Sequence, residues 1–237
     1  MMERSAGISR GGETALRIIT PGEGETFDIE LQENLLAKNR ELAQANRRRL
    51  DERGIKAFDV MGAVGSGKTS LVGRLIEHLR DRRIGVLAGD LTTTIDADRL
   101  AQRGAVAVVQ INTGRECHLD ANVVAKGLDE LLQHDIDVIF IENVGNLICP
   151  AEFPLGSHAR IVVVSVTEGP YMMRKHPYIL READVVVINK LDLADVVNAD
   201  LEQLRRDATE VNPKCRVVLT DCLGGEGVDQ VAAALGL

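Results

Sequence analysis

Cys117 and His118 stand side by side in TGRECHLDAN, and Cys149 stands further on in GNLICPAEF. Thiolate and imidazole both suit Zn²⁺ and Ni²⁺. Two such ligands alone make a poor site, and a pair taken by itself is more often a buried thiol beside a helix-capping histidine. A second set of residues handles phosphate. GAVGSGKTS fits G-x-x-x-x-G-K-S/T at Gly62, Gly67, Lys68 and Thr69. In such a run glycines let backbone N–H groups close around phosphate oxygens, and a following helix N-terminus adds partial positive charge. The cradle is expected over Gly62, Val64, Gly65, Ser66, Gly67, Lys68, Thr69 and Ser70. Lys68 would reach the β- and γ-phosphates, and Thr69 would give an oxygen to Mg²⁺.

NKLD, Asn189 to Asp192, speaks to the base. The Asp192 carboxylate can accept from guanine N1–H and its exocyclic amine, a donor pair adenine lacks. Asn189 would fix the loop, and the stem of Lys190 can lie over the base plane. The alternative is an ordinary turn with an Asx cap. LTDCLGGEG is a weaker candidate for the last base-contacting loop. Two acidic strand ends complete the set. Asp90, in GDLTTTIDADR, can reach Mg²⁺ directly or through water, with Thr93 and Asp96 as further candidates. Asp96 can equally be a helix N-cap. Glu142, in DVIFIENVG, is placed to orient metal-bound or attacking water, and Gly145 offers an N–H towards the γ-phosphate. Lys68, Asp90 and Glu142 are thus the catalytic candidates. No Gln follows Gly145, so slow intrinsic hydrolysis is expected.

These residues need a scaffold that brings distant loops together. Short Val- and Ile-rich runs near residues 57, 85, 105, 137, 160, 184 and 216 read as strands buried on both faces, with helical patterns between most of them. That is an α/β fold of the P-loop NTPase kind, a doubly wound, mostly parallel sheet flanked by helices. Ligands in such sheets bind beyond the carboxyl ends of the strands, where the phosphate loop and all three metal-ligand candidates fall. Residues 28–53 read as an N-terminal helix, with Ile29, Leu31, Leu35, Leu36, Leu42 and Leu50 recurring and Gly54 as its stop. Residues 1–27 read as a flexible arm, and 28–237 as a single domain.

Composition narrows the partners. A net charge of -8, 3% aromatic residues and no Trp disfavour nucleic acid and anionic membranes. Four Cys in 237 residues form no dense disulfide framework, no apolar run is long enough to span a bilayer, and a cytoplasmic chain is expected. Cys215 and Cys222 read as core thiols, and His78, His134, His158 and His176 as surface residues.

MGAVGSGKTSL, GDLTTTIDADR, TGRECHLDA, IENVGNLICPAEF, SVTEG and ADVVVINKLDLA occur in this order. Together they resemble the hydrogenase nickel-incorporation GTPases of the HypB type, from about residue 30 to the end. CHLDA with LICP separates the chain from urease accessory G proteins, which carry a Cys-Pro-His arrangement. The resemblance implies nickel delivery during [NiFe]-hydrogenase maturation and a GTP-promoted homodimer. It also implies a nickel-binding accessory protein and the hydrogenase large subunit as partners, and Cys117, His118 and Cys149 as ligands of Ni²⁺ or Zn²⁺ at the dimer interface. The chain departs from that pattern in lacking a His-rich tract and an N-terminal Cys cluster, which argues against nickel storage. PYMM also stands where a more basic stretch is expected. The alternatives are a GTPase chaperone for another metallo- or cobalamin enzyme, a small-molecule kinase, and a metal-binding module with vestigial nucleotide binding.

Overall fold

The computed structural model describes residues 29–237, with side chains described from residue 33 on. The arm expected over residues 1–27 lies outside the described residues. The chain divides by its contacts into Met1–Leu35 and Leu36–Leu237, and the second unit carries the whole sheet. In chain order the main elements are α1 (Ile29–Asp51), β1 (Lys56–Gly62), α2 (Lys68–His78), β2 (Ile84–Asp90), α3 (Ile95–Ala101), β3 (Ala107–Asn112), α4 (Ala121–Leu131), β4 (Val138–Glu142), β5 (Ala159–Ser165), α5 (Met172–Lys175), α6 (Pro177–Arg181), β6 (Val185–Asn189), α7 (Leu201–Val211), β7 (Arg216–Thr220) and α8 (Val228–Leu235).

All seven strands seen in the sequence form one sheet, ordered β3-β2-β4-β1-β5-β6-β7. Every pairing is parallel, so the sheet is wholly rather than mostly parallel. Because helices cover both faces, the interior strands β4 and β6 are apolar up to their last residue, and β1 is broken within its apolar run by Asp59. One face packs Phe58, Val60 and Phe140 under Leu71 and Leu75 of α2 and Val231 of α8. The other face divides. Leu87, Ile139 and Ile141 meet Leu50 of α1 and Leu128 of α4, while Val162, Val164 and Ile188 meet Ile179 of α6 and Leu204 of α7. Because the strands are parallel, their carboxyl ends open on one edge, and every chemically competent loop lies there.

The expected N-terminal helix is present, but its inward stripe differs from the leucine pattern. Asn39, Ala43, Asn46 and Leu50 are buried, whereas Leu42 is half-buried. The asparagines serve loop backbone rather than the sheet. Asn39 Oδ1 accepts from Ala121 N at 2.8 Å and its Nδ2 donates to Pro154 O at 2.9 Å. Asn46 Nδ2 donates to Ala121 O at 2.8 Å and to Leu155 O at 3.2 Å. Buried amides with these partners meet the requirement that interior polar groups be paired, and they pin the loops that flank His118 and Phe153.

His158 is not a surface residue. Its side chain is 10% exposed. Nδ1 accepts from Ala57 N at 3.0 Å, and Nε2 lies 2.9 Å from Asp51 Oδ1. The β1–β5 ladder begins at Phe58↔Ala159, so Ala57 N has no strand partner there and the imidazole supplies one. Asp96 is not the cap of α3. That position belongs to Thr94, and Asp96 lies in the first turn. No helix among the described residues is long and apolar enough to cross a membrane.

Candidate functional site

The phosphate loop runs between β1 and α2, as the motif requires. Gly67, at φ 105°, precedes the first helical residue, Lys68. A Cβ at Gly67 would strike the Asn189 side chain, so a non-glycine residue there is excluded by contact as well as by φ. Lys68 is buried, and its Nζ donates to Gly62 O and Ala63 O, each at 3.1 Å. Burial depresses its ammonium, while Glu142, Asp96, Glu168 and Asp90 act in the opposite direction.

A 290 Å³ cleft joins these residues: Lys68, Thr69, Asp90, Asp96, Glu142 and Lys190 line it, with Val64, Gly145 and Arg99 among the others. Thr69 Oγ1 donates to Glu142 Oε1 at 2.7 Å. Glu142 Oε2 is buried without a partner among the described residues. Burial pushes the Glu142 carboxyl up to about 7, against the Thr69 bond and the Lys68 charge. Asp90 is different: it accepts from Leu91 N at 2.6 Å and from the Thr93 N–H and hydroxyl. The Thr93 hydroxyl leads in holding its carboxyl below the usual range.

The base-loop candidates are organised around Asn189. Its Nδ2 donates to Ser66 O at 2.9 Å, and its Oδ1 accepts from Thr220 Oγ1 and Cys222 N, each at 3.1 Å. One buried amide thus ties the phosphate loop to the segment after β7. Lys190 adopts φ 67° and faces the cleft. Asp192 is exposed on the 3-10 turn Leu191–Leu193 and is not a lining residue of the cleft.

Cys117, His118 and Cys149 converge, with their ligand atoms all within 4.8 Å of one another. The two sulfurs are 3.0 Å apart, and Cys117 Sγ is 4.0 Å from His118 Nδ1. Ligands at about 2.0–2.3 Å from one tetrahedral ion lie roughly 3–4 Å apart, so the cluster suits a single small cation. The His118 ring packs on Phe153 at 4.0 Å between centroids. Burial depresses the imidazole, which keeps it neutral and able to ligate, and Glu116, Asp120 and Glu152 oppose the shift. The Cys117 contact pushes the Cys149 thiol up. Asp120, two residues past His118, caps α4 by accepting from Asn122 N and Val123 N.

A model of the CobW/HypB/UreG nucleotide-binding domain matches residues 56–219. The probable hydrogenase maturation factor HypB of Methanocaldococcus jannaschii is 50% identical over 204 residues, covering 86% of this chain and 92% of that one. The chain belongs to the HypB hydrogenase maturation factors. Among solved structures, HypB from Archaeoglobus fulgidus is 43% identical with a TM-score of 0.77, covering 84% of this chain and 99% of that chain. HypB from Helicobacter pylori in complex with nickel is 33% identical with a TM-score of 0.79, covering 84% and 93%. The family is one of P-loop nucleotide-binding proteins, which accounts for the cleft.

One buried acid that bonds Asn143, a residue lining the cleft, carries no sequence motif. Asp59 lies within apolar β1, fully buried, and receives Asn143 Nδ2 at 3.2 Å on Oδ1 while Oδ2 is unpartnered among the described residues. Burial pushes its carboxyl from 3.8 to about 6, with Arg160 pulling the other way. A carboxyl raised on folding stabilises the protein below its unfolded pKa, and that contribution is lost as pH rises through 3.8 to about 6. Asp59→Asn should therefore be more stable than the parent at pH 8 by on the order of 2–3 kcal/mol, with the difference shrinking towards pH 4. Urea midpoints at both pH values check this; a difference independent of pH would show that Asp59 does not titrate in this window.

Proposed function

We propose that this family member binds and slowly hydrolyses GTP, holds one nickel ion at Cys117, His118 and Cys149, and delivers it during [NiFe]-hydrogenase maturation. The observation that carries this reading is the shared loop after β4. It begins at Glu142, which receives the Thr69 hydroxyl, and reaches Cys149, whose sulfur meets Cys117. Nucleotide chemistry and cargo are therefore joined by a few residues of one segment. The nickel complex of the Helicobacter pylori relative supports nickel as the cargo. Three protein ligands leave a coordination position open, which suits an ion that must be handed on. Zn²⁺ fits the same donors, since affinity for such a site does not select nickel by itself.

Magnesium fits the cleft. The unpartnered Glu142 oxygen, the Thr69 hydroxyl and the nearby Asp90 carboxylate are hard oxygen donors, the set Mg²⁺ prefers. When bound, the ion neutralises charge on the β- and γ-phosphate oxygens. The chain supplies the rest. Phosphate-loop N–H groups hold the polyphosphate, and Lys68 exchanges its two carbonyl partners for phosphate oxygens. Asp192 accepts from guanine, and Lys190 lies over the base. Asn146 follows Gly145 where a water-orienting Gln would stand, and its side chain turns away to the Cys117 carbonyl. That arrangement is consistent with slow turnover.

Dimerisation through this edge is supported by its exposed apolar side chains. Val64 is 84% exposed, and Leu91, Ile95 and Ile148, each next to a cleft or cluster residue, are exposed as well. A second copy covering them would bring two metal clusters together and enclose the nucleotide. An accessory nickel protein and the hydrogenase large subunit would then be the donor and acceptor.

The test is a Ni²⁺ titration of the purified protein with GTP analogue, with GDP and without nucleotide, followed by thiolate-to-metal absorption and native mass. About one ion per chain is expected, in step with dimer formation. Cys117→Ala should weaken binding by more than the about 10–100-fold that loss of an outer-shell partner costs. Weak binding indifferent to Cys117 would make the cluster structural.

A further inference from the structure

Two asparagines in the loop after β4 connect β1 and its phosphate loop to the thiol–imidazole cluster, and neither is among the phosphate, base, magnesium or metal-ligand candidates. Asn143 N donates to Val60 O at 3.0 Å, continuing the ladder towards the phosphate loop. Its side-chain oxygen accepts from Leu119 N, the residue after His118, and from Val144 N, each at 3.0 Å. Asn146 reaches further. Its backbone N donates to Gly62 O at 3.1 Å, the same carbonyl that receives Lys68 Nζ. Its side-chain Nδ2 donates to Cys117 O at 3.3 Å, and its Oδ1 accepts from Ile148 N, next to Cys149, at 2.9 Å. The fit is close, since a Cβ on the intervening Gly145 would strike Val64 of the phosphate loop.

We infer that Asn146 is the positioning residue through which the phosphate loop sets the relative placement of Cys117 and Cys149. This rests on the metallochaperone reading above. Gly62 O has two protein partners, an ammonium and the Asn146 N–H. When Lys68 turns to a phosphate oxygen, the carbonyl keeps only the Asn146 N–H, and a shift of the loop backbone is passed to that residue. Asn146 cannot shift without pulling on its two other partners. One is the Cys117 carbonyl and the other is the amide beside Cys149, so both sulfurs respond to one backbone atom of the phosphate loop. The physical warrant for coupling between two sites is an element whose arrangement both sites bias, and the loop around Asn146 is placed to be one. Asn143 holds the His118 side of the cluster to β1 through Leu119 N, Asp59 and Val60 O and has no hydrogen bond to Gly62, so it acts as the fixed point against which Asn146 moves.

The experiment compares Ni²⁺ affinity in the GTP-analogue and GDP states for the full chain, Asn146→Ala and Asn146→Asp. Both variants keep the backbone N–H on Gly62 O. The aspartate also keeps an acceptor for Ile148 N but cannot donate to Cys117 O. Retained GDP affinity, within about threefold, shows that each variant folds. In the parent, the ratio of Ni²⁺ affinities between nucleotide states should lie in the about 5–150-fold range usual for coupled sites. In both variants it should fall to near one, and the nucleotide-dependent change in thiolate-to-nickel absorption should vanish with it. By reciprocity, Ni²⁺ should also cease to alter the affinity for GTP analogue.

Uniform weakening of Ni²⁺ binding with the ratio preserved would show that Asn146 merely supports the cluster and would overturn the inference. Complete loss of Ni²⁺ binding in both states would do the same, by making it part of the metal site. A parent ratio of one is a different result, because it removes the nucleotide-switch reading itself, and the inference with it.

Discussion

Replacing Asp192 by asparagine is expected to reverse the base preference. Guanine presents N1–H and an exocyclic amine, both donors, and an ionised carboxylate accepts both. Hydrogen bonds to a charged partner contribute about 1.5–3 kcal/mol each, so losing a matched pair costs about 10²- to 10⁴-fold in GTP affinity. Xanthine keeps N1–H but carries a carbonyl where guanine has the amine. An asparagine amide, with one acceptor and one donor, matches that pattern. Asp192→Asn should therefore bind xanthosine triphosphate more tightly than GTP, and Asp192→Ala should bind both weakly. Competition titrations with a fluorescent nucleotide check this. The exposed position of Asp192 on its 3-10 turn places the change towards the lower end of that range, because water competes for the same carboxylate. Equal affinity of parent and variant for GTP would remove Asp192 from the base site and return NKLD to an ordinary turn.

The parts of the protein legible in its sequence share a physical cause. The seven strands were visible because burial on both faces demands unbroken Val and Ile, and the phosphate loop because its glycines answer to φ and close approach. Cys117, His118 and Cys149 could be grouped because parallel strands send every following loop to one edge. The residues that escaped are polar groups whose partners are distant in sequence. Asn39 and Asn46 read as ordinary helix residues, yet they hold the backbone of loops more than 70 residues away. Asn189 was legible as part of a motif, but its bonds to Ser66 O and Cys222 N were not. Asp59 did leave a signal, a lone acid within the apolar run AFDVMG. Interpreting it required Asn143, which only the β1–β4 pairing brings near. His158 was misread for the same reason: an imidazole between Ser157 and Ala159 gives no hint that it serves the first unpaired amide of β1. Asp96 stands two positions past the cap rather than at it, because Thr94 and Asp96 are both good caps and only the backbone decides between them.

Lys68→Ala should lower GTP turnover by about 10²- to 10³-fold, the cost of removing one preorganised donor from developing charge in a water-poor site. Its effect should not stop at the missing ammonium. Lys68 is one of the charges that hold the Glu142 carboxyl down against burial, which already carries it to about 7. Without the lysine, Glu142 titrates higher still, and near neutral pH the variant holds a protonated acid where a hard anionic oxygen is needed. Two separable defects follow. The loss of phosphate contact is independent of pH, whereas the loss of the Glu142 anion recedes as the pH is raised. The residual turnover of Lys68→Ala should thus climb between pH 7 and 9 more steeply than that of the parent, and its Mg²⁺ requirement at pH 7 should rise. Steady-state rates across that range, at several Mg²⁺ concentrations, separate the two. A variant profile parallel to the parent's would uncouple Glu142 from Lys68. A variant with undiminished turnover would remove Lys68 from the chemistry altogether.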